Sequence, residues 1–184
     1  MRTFIAIEIP SEVKSAIAAL QDDLRRAGAD VSWTRPENIH LTLRFLGEVD
    51  DRRIGEVEKV CVASAAEFKP FTLSLNDTGV FPNARQPRVF WAGLAGEIEK
   101  AVEMRERLND GLALIGFELE EKHFRPHLTI GRVKSNRKTR ELLALADARQ
   151  VPALSFVVTE IVLMKSELHP AGARYTPIAK VSMS

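Results

Sequence analysis

The chain is organised around the stretch Phe124-Arg125-Pro126-His127-Leu128-Thr129-Ile130-Gly131-Arg132, which has an earlier counterpart in Pro36-Glu37-Asn38-Ile39-His40-Leu41-Thr42-Leu43-Arg44-Phe45. Each stretch contains a histidine, an apolar residue, a threonine and a second apolar residue. Side chains alternate between the two faces of a β-strand, so each histidine shares a face with its threonine and the apolar residues take the other face. If two such strands faced one another, both histidines would meet in a single cleft.

The order of predicted elements repeats along the chain, because each half contains a strand, a helix, a motif strand, a helix and a strand. The first strand starts at about Thr3 in the first half and at about Val89 in the second, and the helix starts at Ser11 and at Glu97. The motif histidines are His40 and His127, an offset of 87 (127 − 40). A near-constant offset predicts an internal duplication. Duplicated lobes commonly pack about a pseudo-two-fold axis, which would place the two motif strands on opposite sides of one groove.

Periodicity and turn residues predict the individual elements. In the first half they are a strand from Thr3 to Ile9, a helix capped by Ser11 and stopped by Gly28, an extended piece from Val31 to Thr34, the motif strand, a turn from Gly47 to Asp50, a helix carrying Ile54, Val57, Cys61 and Ala65, and a strand from Phe71 to Leu75. A loop is predicted from Thr78 to Gln86. In the second half they are a strand from Arg88 to Leu94, a helix closed by Gly111, the motif strand, a helix capped by Ser135 or Asn136, a long strand from Leu154 to Met164, a turn from His169 to Gly172 and a last strand from Ala173 to Val181.

Composition is that of an ordinary globular protein, with 45% apolar and 28% charged residues and a net charge of +1. The stretch from Lys122 to Arg140 has seven Lys or Arg and no Asp or Glu, which predicts attraction of a phosphate-bearing ligand; a merely solvated basic surface is the alternative near Arg137.

The single cysteine, Cys61, excludes an internal disulfide. With no signal peptide pattern and no apolar run of about 18–20 residues, we expect a cytoplasmic protein without membrane contact, and a monomer.

The paired histidines suggest proton-transfer chemistry. A histidine has an ordinary pKa of about 6.5, so one neutral and one protonated imidazole can serve as general base and general acid. The hydroxyls of Thr42 and Thr129 could bind phosphate oxygens or could only orient the imidazoles. No metal-ligand spacing, nucleophile elbow or glycine-rich phosphate loop is present, so neither a metal nor a covalent nucleophile is expected.

Other residues near the motifs are weaker candidates. Arg44 shares the face of His40 and Thr42 in a regular strand and could reach the groove. Arg132 has the opposite parity, so its approach requires a twist or a bulge at the strand end. His123 is expected at the entrance and His169 on the surface. Four aromatic residues are candidates for base contact, with packing as the alternative: Trp33, Phe81, Phe124 and Tyr175.

The two motifs resemble those of the two-histidine phosphoesterases, and within them the RNA 2′,3′-cyclic phosphodiesterase family, historically called 2′-5′ RNA ligases. The resemblance also includes the opening Phe4-Ile5-Ala6-Ile7-Glu8-Ile9-Pro10 and the tail Ser166-Glu167-Leu168-His169-Pro170-Ala171-Gly172-Ala173-Arg174-Tyr175. It implies a bilobal α+β fold in which two antiparallel sheets face a central groove and helices pack outside. One domain, residues 1–184, would comprise two pseudo-symmetric lobes from roughly 1–80 and 88–165, with a final strand at about 173–181.

The resemblance also implies metal-independent and cofactor-free hydrolysis of RNA 2′,3′-cyclic phosphate ends to 2′-phosphomonoesters, with 2′-5′ RNA ligation as an accompanying reverse activity. By position, His40 would be the proton donor and His127 the proton acceptor, while Thr42, Thr129 and Arg132 would hold the phosphate. Two alternatives stay open: the same residues could act on another cyclic or 2′,5′-linked nucleotide, or the basic strip could make the protein a non-catalytic single-stranded RNA-binding module.

Overall fold

Two antiparallel sheets form the framework of the protein, which a computed structural model describes for residues 1–170 and 172–184. The strands of this described part are β1 (Arg2–Glu8), β2 (Val31–Trp33), β3 (His40–Glu48), β4 (Phe71–Phe81), β5 (Val89–Gly96), β6 (His127–Val133), β7 (Ser155–Val158), β8 (Glu160–His169) and β9 (Gly172–Ser182). The α-helices are α1 (Ser11–Leu24), α2 (Ile54–Ala65), α3 (Ile98–Leu114) and α4 (Thr139–Asp147). Sheet A has the strand order β3-β1-β8-β9, and sheet B has the order β2-β6-β5-β4-β7.

The apolar faces of the two motif strands lie in the main hydrophobic core. Leu41, Leu43, Leu128 and Ile130 are all buried, and the predicted stripe of α1 packs into the same core. Burial of one such side chain stabilises the fold by about 1.5–3 kcal/mol relative to its exposure. The apolar half of each motif therefore anchors its strand, and this leaves the opposite face for polar side chains. The predicted α+β fold, with two antiparallel sheets and helices outside them, is confirmed.

The two sheets share a strand order in which the third strand comes from the other half of the sequence. Sheet A contains β3-β1-β8 and sheet B contains β6-β5-β4. The motif strand and the first strand of each half thus remain paired, whereas β4 of the first half pairs with β5 of the second, and β8 pairs with β1. The sheets therefore do not coincide with the two sequence halves, and the internal duplication itself stays a prediction.

Two predicted strand boundaries were wrong. Strand β4 does not end at Leu75 but continues to Phe81, because an irregularity in its pairing with β5 between Leu75 and Thr78 lets the ladder resume beyond Asn76 and Asp77. The long strand predicted from Leu154 to Met164 is two strands, β7 in sheet B and β8 in sheet A. Both contain a run of strand-forming apolar residues, Phe156–Val158 in β7 and Ile161–Met164 in β8, so the change of sheet at residue 159 leaves no mark in the sequence pattern.

Several predicted turn and helix boundaries also differ from the structure. Helix α3 does not end at Gly111 but continues to Leu114. The glycine allows close approach of α2, because a Cβ at this position would lie 2.7 Å from Val60 Cγ1. Ser11 is the first residue of α1 and provides no side-chain cap. Helix α4 starts at Thr139 after Lys138, not after Ser135 or Asn136. Strand β3 extends to Glu48, which is two residues into the turn predicted from Gly47 to Asp50.

The last turn and strand of the prediction lie next to a gap in the description. The predicted turn at residues 169–172 includes Ala171, which lies outside the described residues. The final strand is present as β9 and pairs with β8 along its length. In the part of the chain that the structure describes, none of the helices combines the length and apolar character required to cross a bilayer.

Candidate active site

Both motif histidines line one cavity of about 400 Å³ between the two sheets. Thr42, Thr129 and Arg132 line the same cavity, so all five residues selected from the sequence come together there. The other lining residues are Thr34, Asn38, Leu43, Phe45, Phe81, Val89, Arg105, Glu120, Lys122, His123, Phe124, Arg125 and Tyr175. The spatial prediction that two histidines distant in the chain share one cleft therefore agrees with the structure.

A bulge follows the threonine in each motif strand and reverses the side-chain alternation. In β3, Thr42 lies opposite Ala6 and Arg44 lies opposite Ile5, so Leu43 is the extra residue. In β6, the corresponding shift falls between Thr129 and Gly131. A residue inserted in this way turns the following side chains to the other face of the strand. The bulge in β6 brings Arg132 to the cavity, which is the irregularity that its parity required.

Each motif imidazole is held by the carbonyl two residues before it. His40 Nδ1 lies 2.8 Å from the Asn38 carbonyl oxygen, and His127 Nδ1 lies 2.6 Å from that of Arg125. A carbonyl oxygen only accepts hydrogen bonds, so Nδ1 carries the proton in both rings. In the neutral ring this leaves Nε2 as the proton acceptor, and in the charged ring Nε2 is a donor. Both rings therefore keep Nε2 available for proton transfer.

The surroundings of His40 are aromatic. Phe4 stacks on its ring at 4.8 Å between centroids, and Tyr175 meets it edge-on at 5.2 Å. Burial lowers the pKa of His40 to about 4, against the opposing hydrogen bond to the Asn38 carbonyl. Lys14 lowers this pKa further and Glu8 raises it. In the free protein at neutral pH, His40 is therefore uncharged.

His127 is less enclosed. Phe81 meets its ring edge-on at 5.0 Å, and the Arg125 guanidinium lies 5.8 Å from the centroid of Phe81 on the same side of the cavity. Burial lowers the pKa of His127 below its ordinary value, and the hydrogen bond to the Arg125 carbonyl opposes that shift. Burial therefore favours the neutral form of both imidazoles in the absence of a bound anion.

Arg44 does not line the cavity, contrary to the expectation from regular alternation. The bulge turns it away, and its guanidinium donates to Glu120 Oε2 at 3.2 Å and to the Glu118 carbonyl. Arg105 of α3 donates to the Glu120 carbonyl at 2.8 Å and to its Oε2 at 3.3 Å, and Asn109 Oδ1 accepts from the Glu120 backbone N–H at 3.0 Å. Arg44 and Arg105 are only 9% and 7% exposed.

This cluster of two buried guanidiniums, Arg44 and Arg105, and the partly exposed Glu120 holds residues 117–126 against the body of the protein. The segment contributes Lys122, His123, Phe124 and Arg125 to the cavity wall, so His123 lies at the cavity, as expected. The role of the cluster was not predicted from the sequence, because the aliphatic stem of Arg105 alone fits the buried stripe of α3. Two consecutive glutamates near the second motif, Glu120 and Glu121, give no local sign of which one is paired.

The remaining candidates from the sequence fall into two groups, those that line the cavity and those that lie outside it. Phe81, Phe124 and Tyr175 line the cavity, whereas Trp33 lies outside it, where it meets Phe90 at 6.1 Å. His169 also lies outside the cavity and is exposed. Among the described residues, no group of three or more His, Cys, Asp or Glu is placed to hold a metal ion.

Two motif strands that present His and Thr to one cleft between antiparallel sheets define a two-histidine phosphoesterase. The chain belongs to the LigT-like phosphoesterase family, whose model, "LigT like Phosphoesterase", matches residues 7–91 and 93–175. This match confirms the resemblance drawn from the motifs.

Curated relatives match over almost the whole length. The chain is 35% identical to the RNA 2′,3′-cyclic phosphodiesterase of Methanothermobacter thermautotrophicus, over 96% of this chain and 95% of that protein. It is 36% identical to the RNA 2′,3′-cyclic phosphodiesterase of Thermotoga maritima, over 95% of this chain and 91% of that protein.

Solved structures show the same fold. The crystal structure of TT0787 of Thermus thermophilus has a TM-score of 0.82 and 31% identity, covering 100% of this chain and 98% of that one. E. coli LigT in complex with 3′-AMP has a TM-score of 0.75 and 26% identity, with the same coverage.

Proposed function

We propose that the protein hydrolyses RNA 2′,3′-cyclic phosphate ends to 2′-phosphomonoesters. The observation that carries the proposal is the pair of imidazoles in one cavity, each with Nδ1 bound to a carbonyl and Nε2 available. Proton transfer at Nε2 is what a phosphodiester displacement by water requires. The names of the relatives and the binding of 3′-AMP by E. coli LigT support a ribonucleotide phosphate as the substrate.

In the proposed reaction, His127 Nε2 accepts a proton from water as the water oxygen bonds to phosphorus. The bond from phosphorus to the 3′ oxygen breaks, and its electron pair stays on that oxygen. His40 Nε2 donates a proton to the departing 3′ oxygen, which gives a 3′-hydroxyl and a 2′-phosphomonoester. His127 ends protonated and His40 neutral, and exchange with solvent restores the starting state. Each proton transfer is worth about 10²–10⁴-fold in rate.

The hydroxyls of Thr42 and Thr129 and the guanidinium of Arg132 would hold the non-bridging phosphate oxygens, on which negative charge builds during the reaction. All three side chains line the cavity. Arginine suits this role because its planar group makes two parallel hydrogen bonds to phosphate. Loss of one such donor typically costs about 10²–10³-fold in turnover.

His40 must be charged to act as the acid, although burial keeps it neutral in the free protein at pH 7. A bound phosphodiester brings a negative charge into the cavity and favours the protonated ring. Substrate binding and proton uptake by His40 are thus coupled in the proposal. The aromatic neighbours Phe4 and Tyr175 strengthen this coupling, because they keep water away from the ring.

Three further features belong to the proposal. The reaction needs no metal ion or cofactor, the partner is an RNA or oligonucleotide end, and the protein acts as a cytoplasmic monomer. The two imidazoles and Arg132 would supply the proton transfers and charge stabilisation that a metal otherwise provides. Ligation of 2′-5′ ends would use the same groups: a 5′-hydroxyl oxygen in place of water bonds to phosphorus, and the bond from phosphorus to the 3′ oxygen breaks.

The test is chromatography of an RNA that ends in a 2′,3′-cyclic phosphate after incubation with the protein. The expected product is the 2′-phosphate, identified by comparison with synthetic 2′- and 3′-phosphate standards. A 3′-phosphate product, or no turnover of the cyclic end, would contradict the proposal. Binding without turnover would favour the RNA-binding module.

A further inference from the structure

Two segments of sheet B carry no carboxylate. Residues 78–96 include Arg85 and Arg88, residues 122–140 include seven Lys or Arg, and neither segment has an Asp or Glu. Together they hold nine of the 26 basic residues and leave 17 against 25 acidic residues elsewhere, a difference of −8. The net charge of +1 therefore conceals a strong separation of charge.

The two acid-free segments are neighbours in space. Strands β5 and β6 pair, with Val89 opposite Arg132, and the Val133 N–H donates to the Arg88 carbonyl at 2.9 Å. Val89 and Arg132 both line the cavity, so the basic surface begins inside the site and continues past the ends of these strands. From His127 to Val133, β6 spans about 20 Å.

Three side chains continue this surface outside the cavity: Arg85, Arg88 and Lys134, here called the basic edge. All three are exposed. None forms an ion pair with any described residue, whereas cations such as Arg25, Arg52 and Arg107 elsewhere on the surface do. Unpaired cations that are grouped together attract a polyanion more strongly than ones neutralised by their neighbours.

The loop that carries Arg85 and Arg88 has a defined conformation. Asn83 Oδ1 accepts from the backbone N–H of Arg85 at 3.0 Å and of Gln86 at 3.1 Å, and the Arg88 N–H donates to the Phe81 carbonyl at 2.7 Å. Phe81 itself lines the cavity and contacts His127. These hydrogen bonds hold the loop in one arrangement next to Phe81 and His127.

Beyond the loop, Arg85 faces a groove that α4 forms on its other side. Lys138 and Arg140 also line this groove, together with the carboxylates of Glu141 and Asp147. The α4 side is therefore mixed in charge. The basic edge itself consists of three cations: Arg85 borders the groove, and Lys134 lies beside Asp30, whose carbonyl accepts from the Lys134 N–H at 2.8 Å.

We propose that the basic edge binds the phosphate backbone of the RNA strand whose terminal nucleotide occupies the cavity. The inference rests on the proposed function and assigns to these three residues its preference for oligonucleotide ends over free nucleoside 2′,3′-cyclic phosphates. A strand that enters the cavity by its 3′ end must leave with its 5′ part over the rim. The basic edge adjoins that rim where Arg132 contacts the phosphate.

The test compares two substrates, a nucleoside 2′,3′-cyclic phosphate and a ten-nucleotide RNA with the same end. The test variant is Arg85→Gln/Arg88→Gln/Lys134→Gln, and the matched control is Arg2→Gln/Lys59→Gln/Lys69→Gln, which also removes three exposed cations without ion pairs. Hydrolysis and salt dependence are measured for each protein. Fluorescence anisotropy with the corresponding 2′-phosphate RNA measures binding independently of turnover.

We expect the parent and the control to prefer the ten-nucleotide substrate in kcat/KM, with the preference falling as salt rises. The test variant should lose that preference and keep its rate on the nucleoside substrate. Its slope of log affinity against log salt should be less negative by about 2, at about 0.7 per lost phosphate contact with a single strand.

Equal use of both substrates by the parent, or equal losses in the test and control variants, would overturn the inference. If neither substrate is hydrolysed by the parent, the proposed function fails. In that case the anisotropy still decides whether the basic edge binds RNA.

Discussion

Phe45 and Arg132 occupy the same place in the two motif strands, five residues after the histidine and just beyond the bulge. Both side chains line the cavity, yet one is an apolar ring that is 57% exposed and the other is a cation. The histidines, threonines and bulges match between the strands, so this pair is a clear chemical difference between the two sides. In the proposed function, Arg132 would contact the phosphate and Phe45 would contact the nucleoside.

Replacement of Arg132 by Gln should reduce kcat by about 10²–10³-fold, because a charge-stabilising donor to the phosphate is lost. Replacement of Phe45 by Leu should instead act mainly through KM, because the ring would contact the nucleoside and not the phosphorus centre. Steady-state kinetics of both variants on one cyclic-phosphate substrate provide the comparison. Similar changes in kcat would show that the two positions do not have separate roles.

Replacement of either His40 or His127 by Asn should lower the rate of hydrolysis by at least about 10²-fold, since each variant lacks one proton transfer. Binding of a 2′-phosphate oligonucleotide, followed by anisotropy, should persist in both variants. His169→Asn is the matched control, because that ring is exposed and outside the cavity. Parental rates in either cavity variant would refute the assigned roles.

The pH optimum of kcat/KM should lie below about 6.5, the ordinary pKa of histidine. This parameter reports the free protein, in which burial lowers the pKa of both histidines, that of His40 to about 4. The protonated fraction of His40 falls as pH rises through its pKa, so the acid form becomes scarce towards neutrality. The profile of kcat, which reports the complex, should be displaced to higher pH by the bound phosphate.

Two charge variants supply an internal check on this profile. Lys14 lowers the pKa of His40 and Glu8 raises it, so Lys14→Gln should move the His40 limb to higher pH and Glu8→Gln to lower pH. Shifts in the same direction would show that this limb does not belong to His40.

Glu120→Gln should loosen residues 117–126, because Arg44 and Arg105 lose their shared carboxylate. We expect a loss of about 1–3 kcal/mol in the free energy of unfolding, less than for a fully buried pair because Glu120 is partly exposed. KM should rise more than kcat falls, since the segment forms a wall of the cavity. Glu121→Gln, at the neighbouring exposed position, is the control for both denaturant unfolding and kinetics.

Activity should survive treatment with EDTA, because the proposed mechanism uses only side chains. The assay compares the same protein before and after chelation and dialysis. Activity that disappears on chelation and returns with a divalent ion would contradict the proposed proton transfers as the source of catalysis. The Arg132→Gln variant should be equally insensitive to EDTA.

The sequence was most informative where apolar and polar residues alternate around a motif. His40, Thr42, His127 and Thr129 could be placed on one face each, and the two faces do meet in the cavity. Alternation also predicted that Arg132 needs a bulge. It could not show that β3 has the corresponding bulge, so Arg44 was assigned to the wrong side.

The alternation of apolar and polar residues could not predict sheet membership or contacts between residues far apart in the chain. Strands β7 and β8 form one strand-like run in the sequence, and only the packed structure shows that they belong to different sheets. The contacts of Glu120 with Arg44 and Arg105 likewise join residues 76 and 15 positions apart. Partners at that separation leave no local periodicity.

The exchange of third strands between the halves also restricts how the protein can move. Because β1 pairs with β8 and β4 pairs with β5, backbone ladders tie the first half to the second on both sides of the cavity. A hinge between the halves would have to break those ladders. The motif strands β3 and β6 lie in different sheets, so the distance between the two imidazoles depends on how the sheets pack against their shared core and not on these ladders.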